Sequence, residues 1–138
     1  MESITVKDYM NKRPVTFSQD MPLSSALEKL LRSQQTGGPV IDANKRLVGF
    51  ISEQDMLQQL LRDSYHCQDS HSVSDCMTPN ALAVASEDSI IKLAEMMAPT
   101  KPKLYPVVDE GKLVGIITRR DVLRAIGMQM GECLTHPV

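Results

Sequence analysis

The apolar positions of the chain change period several times, and each change marks an element. Leu23, Ala26, Leu27, Leu30 and Leu31 recur at i, i+3, i+4 and i+7, the stripe of an amphipathic helix. Ile90, Leu93, Ala94 and Met97 draw a second such stripe. Ser-Gln-Asp and Ser-Glu-Asp precede these helices, residues whose side chains cap free N–H groups at a helix start. Before them lie Val15–Phe17 and Leu82–Val84, apolar segments long enough only for strands. Pro39-Val-Ile-Asp and Pro106-Val-Val-Asp are further short strands, each closed by a polar turn containing Asn44 or Gly111, residues that accept positive φ. The partner strands are Leu47–Ile51 and Leu113–Thr118. Ser52 and Thr118 then open a last helix, with Asp55 and Asp121 three residues in, near its positive end.

The predicted order is therefore strand, helix, strand, strand, helix, and it occurs twice. Val6-Lys-Asp8-Tyr-Met10 returns as Val73-Ser-Asp75-Cys-Met77, 67 residues on. Leu47-Val-Gly-Phe-Ile-Ser52-x-x-Asp55 returns as Leu113-Val-Gly-Ile-Ile-Thr118-x-x-Asp121, 66 residues on, the lost residue falling in the turn after Asp109. Register kept over that distance predicts two copies of one unit. The copies divide at residues 1–66 and 67–138. Arg62–Ser74, rich in Ser, Asp and His, reads as their connection, and the stretch after Ile126 as a fraying tail.

Composition narrows the function. A chain of 138 residues with 42% hydrophobic and 23% charged residues is ordinary for a globular protein. Residues 1–66 carry eight basic and eight acidic side chains and 67–138 seven and nine, so neither half has the field that nucleic-acid binding needs. The aromatic content of 4% and the absence of Trp argue against a base-stacking platform. No apolar run approaches the ~20 residues of a membrane helix. Three cysteines and no apolar leader after Met1-Glu2 make the reducing cytoplasm the expected compartment. The spacings of His66, Cys67, His71 and Cys76, and of Cys133 and His136, match no zinc pattern. Nucleophile elbow, phosphate loop and metalloprotease helix are all missing, so no catalytic residues and no required cofactor are expected.

The doubled Val-x-Asp-x-Met, Pro-Val-Ile/Val-Asp and Gly-x-Ile-Ser/Thr-x-x-Asp motifs, running from about Val6 to Ile126, resemble a tandem pair of CBS domains, often called a Bateman module. The resemblance implies an α/β (α+β) fold of two βαββα repeats packed through their sheets with pseudo-twofold symmetry. It implies a non-catalytic regulatory sensor that binds AMP, ADP, ATP or S-adenosylmethionine in clefts between the repeats, and a homodimer, with occupancy reported through the dimer or to another protein. A ligand-free dimerisation or interaction scaffold is the alternative.

Carried onto this chain, one cleft combines Thr118, Arg119, Arg120 and Asp121 with Val15, Thr36, Gly37, Gly38 and Lys103. The second, weaker cleft combines Ser52 and Asp55 with Leu82, Leu104 and Tyr105. The carboxylates suit ribose hydroxyls, and the helix starts suit phosphate. Arg119 and Arg120 stand where the first repeat has Glu53 and Gln54, so positive charge favours the Thr118/Asp121 cleft. On their own, Asp55 and Asp121 also read as helix-capping acids.

Overall fold

A computed structural model describes residues 4–67, 71–97 and 99–135, the last four as backbone only. Its order is a 3-10 turn (Val6–Asp8), α1 (Leu23–Leu31), β1 (Gly37–Ile41), β2 (Leu47–Ser52), α2 (Glu53–His66), α3 (Val73–Cys76), β3 (Thr78–Pro79), α4 (Ile90–Met96), β4 (Leu104–Asp109), β5 (Lys112–Thr118) and α5 (Arg119–Thr135). These are the helices and small antiparallel sheets of a mixed α/β fold. One sheet has the order β1-β2-β3 and the other pairs β4 with β5.

The chain forms two compact units, and neither is continuous in sequence. One contains Arg13–Leu82 with Glu110–Leu113; the other contains the residues up to Lys12, Ala83–Asp109 and those from Val114 onward. The sequence boundary at 66/67 separates the copies of the motif, whereas each folded unit takes its leading Val-x-Asp-x-Met segment from the other copy. Val73 is fully buried in a core with Phe17, Leu23, Ala26, Leu30, Val40, Ile51 and Met56. Its equivalent, Val6, is fully buried with Ile90, Leu93, Tyr105, Val107, Ile117, Val122 and Ala125. Each large apolar side chain so removed from water contributes about 1.5–3 kcal/mol.

The glycine of each closing motif marks this exchange. Asn11 bridges Ile116 on β5, and a Cβ at Gly115 would stand 2.6 Å from the Asn11 carbonyl oxygen. In the other unit β3 pairs with β2 at Gly49, where a Cβ would meet the Met77 sulfur at 2.8 Å and the Thr78 carbonyl at 2.9 Å. Only a residue without a side chain lets the incoming backbone lie so close.

Several sequence expectations are corrected. Val15–Phe17 and Leu82–Val84 are not full strands: each makes one parallel bridge, Phe17 to Val40 and Val84 to Val107. Positive φ falls on Lys45, not Asn44, because the Asp42 carboxylate accepts from the Asn44 and Arg46 amides and shapes the turn itself. The second turn uses Glu110 and Gly111 at φ 51° and 80°, the two consecutive left-handed residues of a tight hairpin.

Most of the described part of Arg62–Ser74 is ordered rather than a plain connection. α2 runs to His66, Asp63 is buried against the His71 ring at 2.8 Å, and Gln59 donates to the same carboxylate. The tail does not fray at Gly127: α5 continues to Thr135, held by buried Val122 and Ala125 and by Tyr9, whose hydroxyl reaches the Met128 sulfur. Met56 is buried and Met10, Met77 and Met97 pack on the cores, whereas Met96 is 53% exposed.

Candidate functional site: two strand-to-helix junctions

Each unit builds the same junction, in which a strand ends at a hydroxyl residue and a long helix starts beside a carboxylate. Ser52 ends β2 in extended conformation and its side chain accepts from the Asp55 amide at 3.1 Å, while Asp55 Oδ2 accepts from the Ser52 amide at 2.9 Å. At the β5–α5 junction the Asp121 amide donates to Thr118 Oγ1 at 3.2 Å, and Asp121 Oδ2 accepts from both the Thr118 amide and hydroxyl at 2.9 Å. These reciprocal capping boxes settle free N–H groups of α2 and α5 and fix both carboxylates at the positive end of a helix dipole.

The spacing alone is a capping signal, because Thr5/Asp8 and Ser72/Asp75 form the same box on a three-residue turn and a four-residue helix. What distinguishes Ser52/Asp55 and Thr118/Asp121 is the preceding hairpin strand and the helices of 14 and 17 residues that follow. The two junctions differ in charge. Arg124 donates to Asp121 Oδ1 at 3.2 Å, and Arg119 and Arg120 are exposed beside it. Asp55 instead lines a polar hollow of about 170 Å³ with Gln59, Arg62, Asp75 and Cys76. Burial there, together with Asp75, Asp63 and Asp55, pushes the Cys76 thiol above its ordinary pKa, which disfavours a nucleophilic thiolate.

The approach segments meet the closing motif of their own repeat. The Thr36 carbonyl accepts from the Glu53 amide at 2.9 Å, and Gly37 lies opposite Ser52 in the β1–β2 register. Gly38 packs against the Phe17 ring and the Val15 carbonyl. Gln35, which the sequence reading passed over, ties this side together: its Oε1 accepts from the Val15 amide at 2.7 Å, and its Nε2 donates to the carbonyls of Val15 and Gly37. The second of two glutamines before Thr-Gly-Gly carries no sequence signal for that role.

In the other unit the Lys103 carbonyl accepts from the Arg119 amide at 2.9 Å, bringing Lys103 to the Thr118/Asp121 junction. Leu104 and Tyr105 are buried, Tyr105 in the core, where burial raises its phenol above its usual pKa; Leu82 is 53% exposed. The structure thus groups Val15, Thr36, Gly37, Gly38, Ser52 and Asp55 in one unit, and Lys103, Leu104, Tyr105, Thr118, Arg119, Arg120 and Asp121 in the other. Among the described residues no His, Cys, Asp and Glu cluster is placed to hold a metal ion. Cys133 and His136 fall outside the described side chains.

Comparison with known proteins gives the geometry a family. The chloroplastic CBS domain-containing protein CBSX2 of Arabidopsis thaliana is 32% identical over 88% of this chain, which spans 63% of that relative's length. A crystal structure of CBSX2 in complex with AMP is 36% identical with a TM-score of 0.77, covering 92% of this chain and 98% of that one. The CBS domain pair of protein MJ0100, in complex with 5′-methylthioadenosine and S-adenosyl-L-methionine, is 26% identical with the same TM-score, covering 91% and 98%. The family model for the CBS domain matches residues 6–62 and again 73–128, so the chain belongs to the CBS-domain family as a tandem pair.

Proposed function

We propose that this chain is a non-catalytic regulatory module that binds an adenosine-containing ligand, AMP, ADP, ATP or S-adenosylmethionine. The observation that carries the reading is the doubled strand-to-helix junction with its fixed carboxylate, in a chain similar to CBS pairs crystallised with AMP and with S-adenosyl-L-methionine. Asp121 takes ribose hydroxyls, and Thr118, Arg119, Arg120 and Lys103 face the phosphates. Val15, Thr36, Gly37 and Gly38 of the other repeat supply the base contacts. The Ser52/Asp55 site, with Leu82, Leu104 and Tyr105, is the weaker one because Glu53 replaces an arginine.

The reading includes a homodimer and a protein that receives the signal. It also includes a reducing, cytoplasm-like compartment, supported by the free thiols of Cys67 and Cys76. No helix among the described residues is long and apolar enough to cross a membrane.

The second reading, a ligand-free scaffold, is favoured by one observation: both Asp121 oxygens already accept hydrogen bonds within the chain. Thermal unfolding with each nucleotide separates the two. A specific ligand at 100 times its Kd stabilises by about 2.7 kcal/mol, while a scaffold is unmoved by all of them.

A further inference from the structure

Asp121 is more heavily engaged than its repeat equivalent Asp55, and one of its partners is a residue the first repeat lacks. Oδ2 accepts from the Thr118 amide and hydroxyl, both at 2.9 Å, which fills its two lone pairs. Oδ1 faces Arg124 Nη2 at 3.2 Å. Asp55, with Gln58 in the place of Arg124, accepts only from the Ser52 amide among the described residues. The Arg124 contact is the loosest of the three on Asp121. It is longer than the roughly 2.7–2.9 Å of a strong charge-assisted bond. The Arg124 side chain is 57% exposed against 16% for Asp121, and an ion pair open to water on one side holds weakly. The guanidinium also has a second seat in the same unit. Its Nη2 lies 3.5 Å from the Tyr9 carbonyl oxygen, and its central carbon 5.9 Å from the centre of the Tyr9 ring, within cation–π range. Tyr9 is itself anchored, its amide on the Val6 carbonyl and its hydroxyl on the Met128 sulfur.

We propose that Arg124 gates the ribose-binding carboxylate: a cis-diol takes the place of the guanidinium on Asp121 Oδ1, and Arg124 settles on Tyr9. This rests on the adenosine-binding reading of the Thr118/Asp121 junction. One hydroxyl can use the lone pair still open on Oδ1, but two hydroxyls need two acceptor sites, so the second must displace a partner. Displacing Thr118 would open the box that starts α5, whereas Arg124 stands outside the box and has Tyr9 to receive it. The gate therefore subtracts from what the second hydroxyl adds. Removing it widens the preference for ribose over deoxyribose.

Calorimetric titration of AMP and 2′-deoxy-AMP into the full chain carrying Asp55→Ala, which silences the other junction, tests this with and without Arg124→Gln. Both nucleotides carry the same phosphate, so the lost positive charge and any lost stability act on both alike and cancel in the ratio of their Kd values. Arg124→Gln should raise the ratio of the 2′-deoxy-AMP Kd to the AMP Kd by about three- to fivefold, the factor a half-exposed ion pair is worth. Arg124→Met, which also lacks the charge and keeps an unbranched stem, should raise it alike. A ratio unchanged in both variants overturns the gate. A lower ratio would make Arg124 a prop that holds the carboxylate for the diol, and overturns it too. Binding to the wild type that Asp55→Ala abolishes puts the nucleotide at the other junction and also overturns the proposal. A wild type that binds neither nucleotide overturns the adenosine reading on which the gate rests.

Discussion

The Thr118 hydroxyl donates to Asp121 Oδ2 at 2.9 Å, and the Asp121 amide donates back to the same hydroxyl at 3.2 Å, so one pair of side chains both starts α5 and presents a carboxylate at its head. Structural and functional roles therefore coincide in these residues. Asp121→Ala should lose the box and cost about 0.5–2 kcal/mol of stability, measured by urea unfolding. Asp121→Asn keeps an acceptor at the cap and should cost less. Equal stability of wild type and Asp121→Ala would mean that the box is not formed in solution.

Gly115 and Gly127 should respond to alanine with opposite signs. A methyl group at Gly115 meets the Asn11 carbonyl at 2.6 Å, and that backbone is held in place by its bridge to Ile116, so Gly115→Ala should destabilise by about 1–3 kcal/mol. Gly127 lies inside α5 with open space around it, so Gly127→Ala should stabilise by up to about 1 kcal/mol through helix propensity. Thermal unfolding of both variants tests the exchange of leading segments, because an N-terminal segment that did not reach β5 would leave Gly115→Ala harmless.

Asp109 contributes an acid dependence whose direction follows from its hydrogen bonds to Ser86. The Ser86 hydroxyl, at 2.5 Å, and then the Ser86 amide hold its carboxyl below the ordinary carboxylate pKa. A carboxyl depressed in the folded state adds stability above its unfolded pKa of about 3.9, and that stability is lost as pH falls through the lower folded value. Ser86→Ala should thus be less stable than wild type at neutral pH, with the gap narrowing below about pH 4. A gap that stays constant from pH 7 to 3 would remove Asp109 from the explanation.

What the sequence disclosed, and what it hid, follows the range of the interactions. α1 and α4 were legible in their apolar stripes, and the two hairpins in their Pro-Val and Leu-Val-Gly runs, because those patterns are written within ten residues. The crossing of Val6 and Val73 into each other's units was not legible, since nothing local distinguishes a segment packing on its own repeat from one packing on the other. Asp63 and His71 read as solvated linker residues because each is polar, yet they are buried or half-buried as a pair. α5 runs past two glycines while packing on Tyr9, more than a hundred residues away, a contact no local pattern announces. At the site, Ser52, Asp55, Thr118 and Asp121 were found through repetition, while Gln35 acts through a side chain that bonds to two backbone segments and is not repeated.

Calorimetric titration of AMP, ADP, ATP and S-adenosylmethionine into the wild type, Asp121→Ala and Asp55→Ala tests the asymmetry of the two junctions. Asp121→Ala should lose charge-assisted hydrogen bonds of about 1.5–3 kcal/mol, roughly 10- to 150-fold in Kd, while Asp55→Ala leaves the tighter site nearly intact. Equal loss from both substitutions, or binding unchanged by Asp121→Ala, would contradict the assignment of the tighter site to Thr118, Asp121 and their arginines.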